Sequence, residues 1–159
     1  MRPLRIGVIG SGSATAREAG LAHAVGVAVA RAGAVVVCGG MGGVMQAAAD
    51  GAASEGGTVV GILPGGDPAQ AAGGVTIPIP TGLGEARNVL VARASEAVVA
   101  IAGEWGTLSE AAFCRKFGIP VVGLASTLPE RVLDEIVGGA AEAASRALEL
   151  AAERRRALA

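Results

Sequence analysis

Aromatic residues are almost absent from this 159-residue chain, which has two phenylalanines, one tryptophan and no tyrosine. A hydrophobic core must therefore be built from small aliphatic side chains, in keeping with a composition of 52% hydrophobic residues and 26 glycines. This length and composition predict one compact domain spanning residues 1–159.

Cysteine and histidine are also scarce. The two cysteines, Cys38 and Cys114, form no CxxC pair, and the only histidine, His23, has no metal-ligating neighbour at a suitable spacing. The sequence therefore predicts neither a disulfide framework nor a metal site, and we expect both thiols to be free.

The chain also has no excess of charge of either sign beyond one unit and no long apolar run. The formal net charge is -1 and the pI is about 5.8, so the chain lacks the basic surplus that binding to nucleic-acid phosphates needs. No run approaches the roughly 18 apolar residues of a membrane span, and the first five residues contain no leader-type apolar segment. We expect a cytoplasmic protein that binds neither nucleic acid nor a membrane.

Six short apolar runs alternate with alanine-rich stretches of helical character. The runs are 5–9, 34–38, 58–62, 75–79, 97–101 and 120–124; the helical stretches are 14–32, 43–55, 85–96, 107–117 and about 129–158. Near-continuous apolarity is typical of strands buried on both faces. The alternation predicts an α/β fold, a Rossmann-like doubly wound parallel sheet flanked by helices, with a surface loop over 63–74. The arginines at 154–156 are expected at a solvated helix end, where they complement the helix dipole.

Glycine-rich turns follow the first, second and fifth apolar runs, and in open α/β sheets ligands bind at these strand ends. The turns begin at Gly10-Ser11, Gly39-Gly40 and Gly103-Glu104. The first is a weak match to the dinucleotide-binding fingerprint, and no acidic residue follows the second run, so a nicotinamide-dependent dehydrogenase is disfavoured. Each glycine also fits a tight turn that needs positive φ.

The predicted helices differ in how their first turns are capped. Thr15 with Glu18, and Thr107 with Glu110, fit the spacing of a capping box. The helix after Gly43 has no capping side chain, so its free N–H groups favour a phosphate, with water as the alternative.

Arg87 falls in the first turn of the helix predicted over 85–96. The helix dipole disfavours a cation there by about 0.3–1 kcal/mol. This placement calls for a partner, which is either a bound anionic group or the neighbouring Glu85.

Over roughly residues 1–125 these motifs resemble the Lonely Guy family of cytokinin-activating phosphoribohydrolases and its relatives, which include molybdenum-cofactor carrier proteins. The family's PGGxGTxxE signature is matched by Ala102–Glu110, and Arg87 stands 23 residues before Glu110, as in the family. The stretches 39–45 and 59–64 are similar to the family's second glycine loop and the strand that continues it.

Three departures from the family pattern are more like the short carrier-type branch. Ala102 stands in place of a proline, Glu104 in place of a glycine, and Asn88 in place of a lysine.

The resemblance implies that Arg87 and Glu110 are a catalytic pair beside a phosphate or nucleotide site. The residues of that site are Gly10, Ser11, Gly40, Gly42, Gly43, Met45, Asn88, Gly103, Glu104, Trp105, Gly106 and Thr107. It also implies a homo-oligomer, a dimer or larger, that requires no cofactor and binds a nucleotide, phosphate or molybdopterin.

Three functions stay open. A phosphoribohydrolase would split a nucleoside 5'-monophosphate into free base and ribose 5-phosphate through an oxocarbenium-like transition state. A binding protein would hold a phosphorylated ligand, such as a pterin cofactor or a nucleotide, and release it intact. An interaction domain would use Trp105 and the apolar faces of the third and fourth helices in an interface.

Lysine decarboxylation with pyridoxal phosphate is excluded, because that cofactor is held on a lysine. The only lysine, Lys116, lies roughly 9 Å beyond Glu110 along the predicted helix, away from the strand ends.

Overall fold

The computed structural model covers residues 1–159 and contains one seven-stranded parallel sheet flanked by five α-helices. The strands are β1 (Arg5–Gly10), β2 (Val35–Cys38), β3 (Val59–Leu63), β4 (Ile77–Pro80), β5 (Ala97–Ile101), β6 (Val121–Leu124) and β7 (Glu135–Val137). The helices are α1 (Ala16–Arg31), α2 (Val44–Ser54), α3 (Asn88–Ala94), α4 (Trp105–Phe117) and α5 (Ala140–Ala157). The Rossmann-like α/β fold predicted from the sequence is confirmed.

The strand order is β4-β3-β2-β1-β5-β6-β7, and every neighbouring pair is parallel. The chain moves outward from β1 to β4 and then returns to place β5 on the other side of β1. The order of the strands therefore reverses between β1 and β5, and a crevice opens at their carboxyl ends.

Two hydrophobic cores cover the faces of the sheet. On one face α1, α2 and α5 contribute mainly alanine and valine, and on the other α3 and α4 pack over β5 and β6. Small side chains let helices approach closely: a Cβ atom added at Gly26 in α1 would lie 2.1 Å from the carbonyl oxygen of Ala48 in α2. The near absence of aromatic residues is thus matched by tight helix contacts.

The C-terminal segment differs from the helix predicted over about 129–158. A 3₁₀ turn at Glu130–Val132 and the edge strand β7 come first, and α5 begins only at Ala140. β7 has three residues, too few for a periodic pattern to reveal it. The pair Gly138-Gly139, which lies between the end of β7 and α5, is the sequence feature that indicates a break before this helix.

Two other predicted segments are also modified. The helix predicted over 85–96 is a 3₁₀ turn, Gly84–Arg87, followed by the shorter α3. The loop predicted over 63–74 holds a 3₁₀ turn at Pro68–Gln70. None of the five α-helices combines the length and apolarity that crossing a membrane requires.

Candidate functional site

A polar cavity of about 270 Å³ opens at the crevice between β1 and β5. Its walls come from the turn after β1, the start of α2, the 3₁₀ turn before α3, and the first two turns of α4. The lining residues are Gly10, Ser11, Gly12, Met45, Glu85, Arg87, Asn88, Glu104, Gly106, Thr107 and Glu110. Met45 is the only hydrophobic side chain among them. The fold therefore brings most of the predicted site residues together at one place.

Arg87 and Glu110 face each other in this cavity. The Nη1 atom of Arg87 lies 3.8 Å from the Oε1 atom of Glu110, and the two residues are only 8% and 6% exposed. Arg87 ends the 3₁₀ turn rather than lying inside a helix, and the carboxyl group within 4 Å of its guanidinium is that of Glu110. The alternative partner considered for this arginine, Glu85, forms no ion pair with it.

Arg87 is held by a chain of hydrogen bonds that leads into α4. Its Nη1 atom donates to the Oδ1 atom of Asn88, whose Nδ2 atom donates to Ser109 Oγ at 2.9 Å. The Ser109 hydroxyl donates in turn to the carbonyl oxygen of Gly106 at 2.7 Å. The Nε atom of Arg87 is buried without any partner. The guanidinium is thus fixed in place while one of its donors stays free.

Glu110 is a buried carboxyl group that accepts no hydrogen bond from the protein. Burial raises its pKa to about 8; Arg87 opposes that rise and Glu85 adds to it. At neutral pH the neutral acid predominates, and a neutral carboxyl group can donate an O–H to a bound anion.

The start of α4 differs from the predicted capping box. The helix begins at Trp105, two residues before Thr107, and Glu104 occupies the cap position without any side-chain hydrogen bond to the helix. The capping explanation for Thr107 and Glu110 is therefore wrong. The N–H groups of the first three helical residues, Trp105, Gly106 and Thr107, have no partner in the protein, whereas the next one, of Leu108, donates to the Glu104 carbonyl. Those three free donors at a helix N-terminus suit an anionic group.

The start of α2 lacks a side-chain cap, as the sequence predicts. Its first N–H group, of Val44, nevertheless donates to the carbonyl oxygen of Ser11 at 3.0 Å. Gly43 has a φ of 64°, and a Cβ atom on it would lie 2.3 Å from that same oxygen. The glycine loop therefore packs against the turn after β1, and its contribution to the cavity wall is Met45.

The remaining predicted site residues fall outside the polar cavity. Gly40, Gly42 and Gly43 do not line it, while Gly103 and Trp105 line a second hollow next to it. Sequence reasoning omitted Gly12 and Glu85 from the site, although both lie in turns that it had already singled out. It also missed Ser109, for which the sequence carries no signal because the role depends on the three-dimensional placement of Asn88.

Several known proteins are similar to this chain. An uncharacterized protein from Archaeoglobus fulgidus is 41% identical over 129 residues, which are 78% of this chain and 82% of that protein. The molybdenum cofactor carrier protein from Chlamydomonas reinhardtii is 34% identical with a TM-score of 0.86, covering 95% of this chain and 99% of that one. The molybdenum cofactor binding protein from the phototrophic bacterium Rippkaea orientalis is 31% identical with a TM-score of 0.81, covering 99% and 98%.

The family assignment rests on almost the whole chain. The model of the SLOG cluster4 family matches residues 3–157, a range that includes the polar cavity and all seven strands. The chain belongs to the SLOG cluster4 family.

Proposed function

We propose that this protein binds a phosphorylated small molecule of the molybdenum-cofactor kind and carries it intact. The observation that carries the proposal is the arrangement at the start of α4: the unpartnered N–H groups of Gly106 and Thr107 belong to residues that line the same cavity as the buried Arg87. The names of two similar proteins, a molybdenum cofactor carrier and a molybdenum cofactor binding protein, support the choice of cargo.

The state of Glu110 supports carriage over cleavage. Breaking an N-glycosidic bond develops positive charge on the sugar, which an ionised carboxylate stabilises. Burial raises the pKa of Glu110 to about 8, so at neutral pH this group is mostly uncharged. A neutral carboxyl group suits hydrogen bonding to an anionic cargo better than stabilising a cation.

Cargo retention tests the proposal directly. Protein purified from cells supplied with molybdate is denatured, and the released small molecules are analysed by mass spectrometry and by pterin fluorescence. We expect an intact phosphorylated pterin in the parent and at least a tenfold smaller amount in Arg87→Gln, because that variant loses the buried cation of the cavity.

Arg17→Gln is the matched control, because Arg17 is an exposed arginine on α1 that is not part of the cavity lining. Equal retention of ligand by the Arg87 and Arg17 variants, or an absence of any phosphorylated ligand in the parent, contradicts the proposal.

A second function, phosphoribohydrolase activity, is favoured by one observation. Arg87 and Glu110, the two residues that match the catalytic pair of the Lonely Guy family, face each other in the cavity at 3.8 Å. If that reading is right, the parent releases ribose 5-phosphate from AMP, and Glu110→Gln keeps AMP binding but loses the release. Intact AMP after long incubation with the parent excludes hydrolysis of this substrate and leaves carriage as the function.

A further inference from the structure

A second hollow, of about 550 Å³, opens directly beside the polar cavity. The two share Glu104 and are otherwise lined by different residues. The second hollow is lined by Gly103, Glu104, Trp105, Leu108, Thr127, Leu128 and Pro129. The hollow on one side of the Glu104 carboxylate is therefore polar, and the hollow on the other side is largely apolar.

The polar cavity lies at the small end of the size range of ligand sites. Pockets that hold drug-sized molecules have volumes of roughly 300–1,000 Å³. At about 270 Å³ the cavity lies just below that range, and its lining is almost entirely polar. A flat ring finds little apolar surface there, whereas the second hollow, which shares Glu104, supplies such surface next to the cavity.

Trp105 forms an exposed wall of the second hollow. Trp105 is 85% exposed, which is more than any other large apolar residue apart from Met1. Leu108 and Leu128 lie in the same hollow. A single exposed apolar residue is ordinary. An indole at the edge of a concave apolar surface is different, because a flat heterocycle can stack on the indole while it also contacts the apolar surface beneath.

Glu104 stands between the two hollows with its carboxylate unused. It occupies the cap position of α4 without capping the helix, and it forms no ion pair. A carboxylate only accepts hydrogen bonds, so beside an anionic group it is unfavourable unless the ligand supplies donors. Its two oxygens match two parallel N–H groups, as in a bidentate pair.

We propose that the two hollows form one bipartite site for a phosphorylated 2-amino-4-oxopyrimidine ring system. The phosphate lies on the free N–H groups of Gly106 and Thr107, the ring stacks on Trp105, and Glu104 accepts from the ring N–H and the 2-amino group. Pterins and guanine share this edge, whereas adenine presents a ring acceptor there and is repelled by the carboxylate. This inference rests on the proposed function and specifies its ligand class.

Tryptophan fluorescence measures ring binding without a label. Trp105 is the only tryptophan and the chain has no tyrosine, so the emission reports on this hollow alone. We expect GMP and neopterin phosphate to quench the emission in a saturable manner, inorganic phosphate to leave it nearly unchanged, and AMP to bind at least tenfold more weakly than GMP.

Two substitutions separate the roles, with affinities measured by isothermal titration calorimetry. Glu104→Gln reduces the preference for GMP over AMP to less than threefold, because an amide no longer offers two acceptors. Trp105→Ala weakens GMP about tenfold, in line with the loss of one stacked base, and leaves inorganic phosphate unchanged. Glu153→Gln is the control, because Glu153 is exposed on α5 and lies outside both hollows.

The possible failures are distinguishable. If none of the phosphorylated probes binds, and Arg87→Gln changes nothing, the proposed function itself fails. If the probes bind in an Arg87-dependent way but Trp105 emission and Trp105→Ala have no effect, the phosphate site stands and the bipartite site is overturned. If AMP binds as tightly as GMP in the parent, the role of Glu104 is overturned. Comparison of GMP with neopterin phosphate shows which of the two ring systems the site prefers.

Discussion

Glu110 illustrates how one residue links stability to pH. Its pKa rises from an ordinary 4.5 to about 8 in the folded protein, mainly because it is buried. Between these two values the folded state binds more protons than the unfolded state, so the free energy of unfolding falls as the pH rises through that window. Burial also raises the pKa of Cys38 to about 11 and that of Cys114 to about 12. Both thiols therefore ionise first in the unfolded chain, which adds a further loss of stability above about pH 8 that the parent and its variants share.

We therefore expect Glu110→Gln to be less sensitive to alkaline pH than the parent. An amide does not ionise, and each unit of pKa difference corresponds to about 1.4 kcal/mol. For a chain of this size 1 kcal/mol moves the Tm by roughly 2–4 °C. The loss of Tm between pH 6 and pH 9 should be smaller in the variant by at least about 3 °C. Calorimetry in matched buffers measures it, with Glu153→Gln as control. Identical losses in all three proteins would mean that Glu110 does not titrate in this window.

At the scale of elements, the start of α2 is where backbone packing defines the cavity. Gly43 has φ 64°, and a Cβ atom there would lie 2.3 Å from Ser11 O and 2.5 Å from the carbonyl carbon of Gly12. Gly43→Ala should lower the free energy of unfolding by about 2 kcal/mol or more, because both the left-handed backbone and the contact are unfavourable. Gly12→Ala is the matched control, since its Cβ would meet only Met45 Cε, at 4.0 Å. Urea denaturation of both variants provides the measurement, and equal stability of the two would show that the loop shifts freely.

The helices and strands also show which parts of the fold could be predicted from the sequence and which could not. Continuous apolar runs identified six of the seven strands, and the Thr15–Glu18 capping box at the start of α1 is confirmed by both of its hydrogen bonds. The start of α4 was misplaced because Ala102, with φ 51°, and Gly103, with φ 136°, turn the chain two residues early. An alanine in the left-handed region has no sequence signature, since its conformation is imposed by surrounding contacts.

Prediction of the site from the sequence was limited in a similar way. The strand-end rule placed Arg87, Glu110 and the turn residues at one crevice, because parallel strands bring their carboxyl ends to the same edge. The rule did not say which helix start remains open to a ligand. The turn after β1 supplies a backbone carbonyl to the first N–H group of α2, which keeps two unpartnered N–H groups, those of Met45 and Gln46, whereas α4 keeps three. Only the folded packing of these loops reveals that difference.

At the scale of the whole molecule, the two ends of the parallel strands have different roles. The cavity lies at their carboxyl ends, and the first and last segments of the chain contact each other at their amino ends. There the buried Glu96 accepts from the N–H of Arg5 at 2.9 Å and from Arg155 Nε at 2.8 Å and Nη2 at 2.6 Å. Burial alone would raise the pKa of Glu96, but the hydrogen bonds from Arg155 and Arg5 and their charges lower it overall. The arginines at 154–156 end α5, as the sequence predicts, but only Arg156 is exposed. Arg155 also donates to the carbonyl oxygens of Arg2 and Pro3, and Arg154 donates to those of Gly118 and Phe117.

Removing this link should reduce stability without affecting the ligand site. Arg155→Ala leaves the buried carboxylate of Glu96 without its main partner and releases α5 from the segment before β1. We expect a loss of about 2–4 kcal/mol in the free energy of unfolding, somewhat below the usual cost of breaking a fully buried pair because Arg155 is partly exposed. Arg156→Ala, at the exposed neighbouring position, should cost less than about 0.5 kcal/mol. Urea denaturation measures both, and calorimetric titration with GMP at 25 °C should give the same affinity for parent and variants. If Arg155→Ala weakened GMP as strongly as Arg87→Gln does, the two ends of the strands would be energetically coupled, and the separation of anchoring from ligand binding would have to be abandoned.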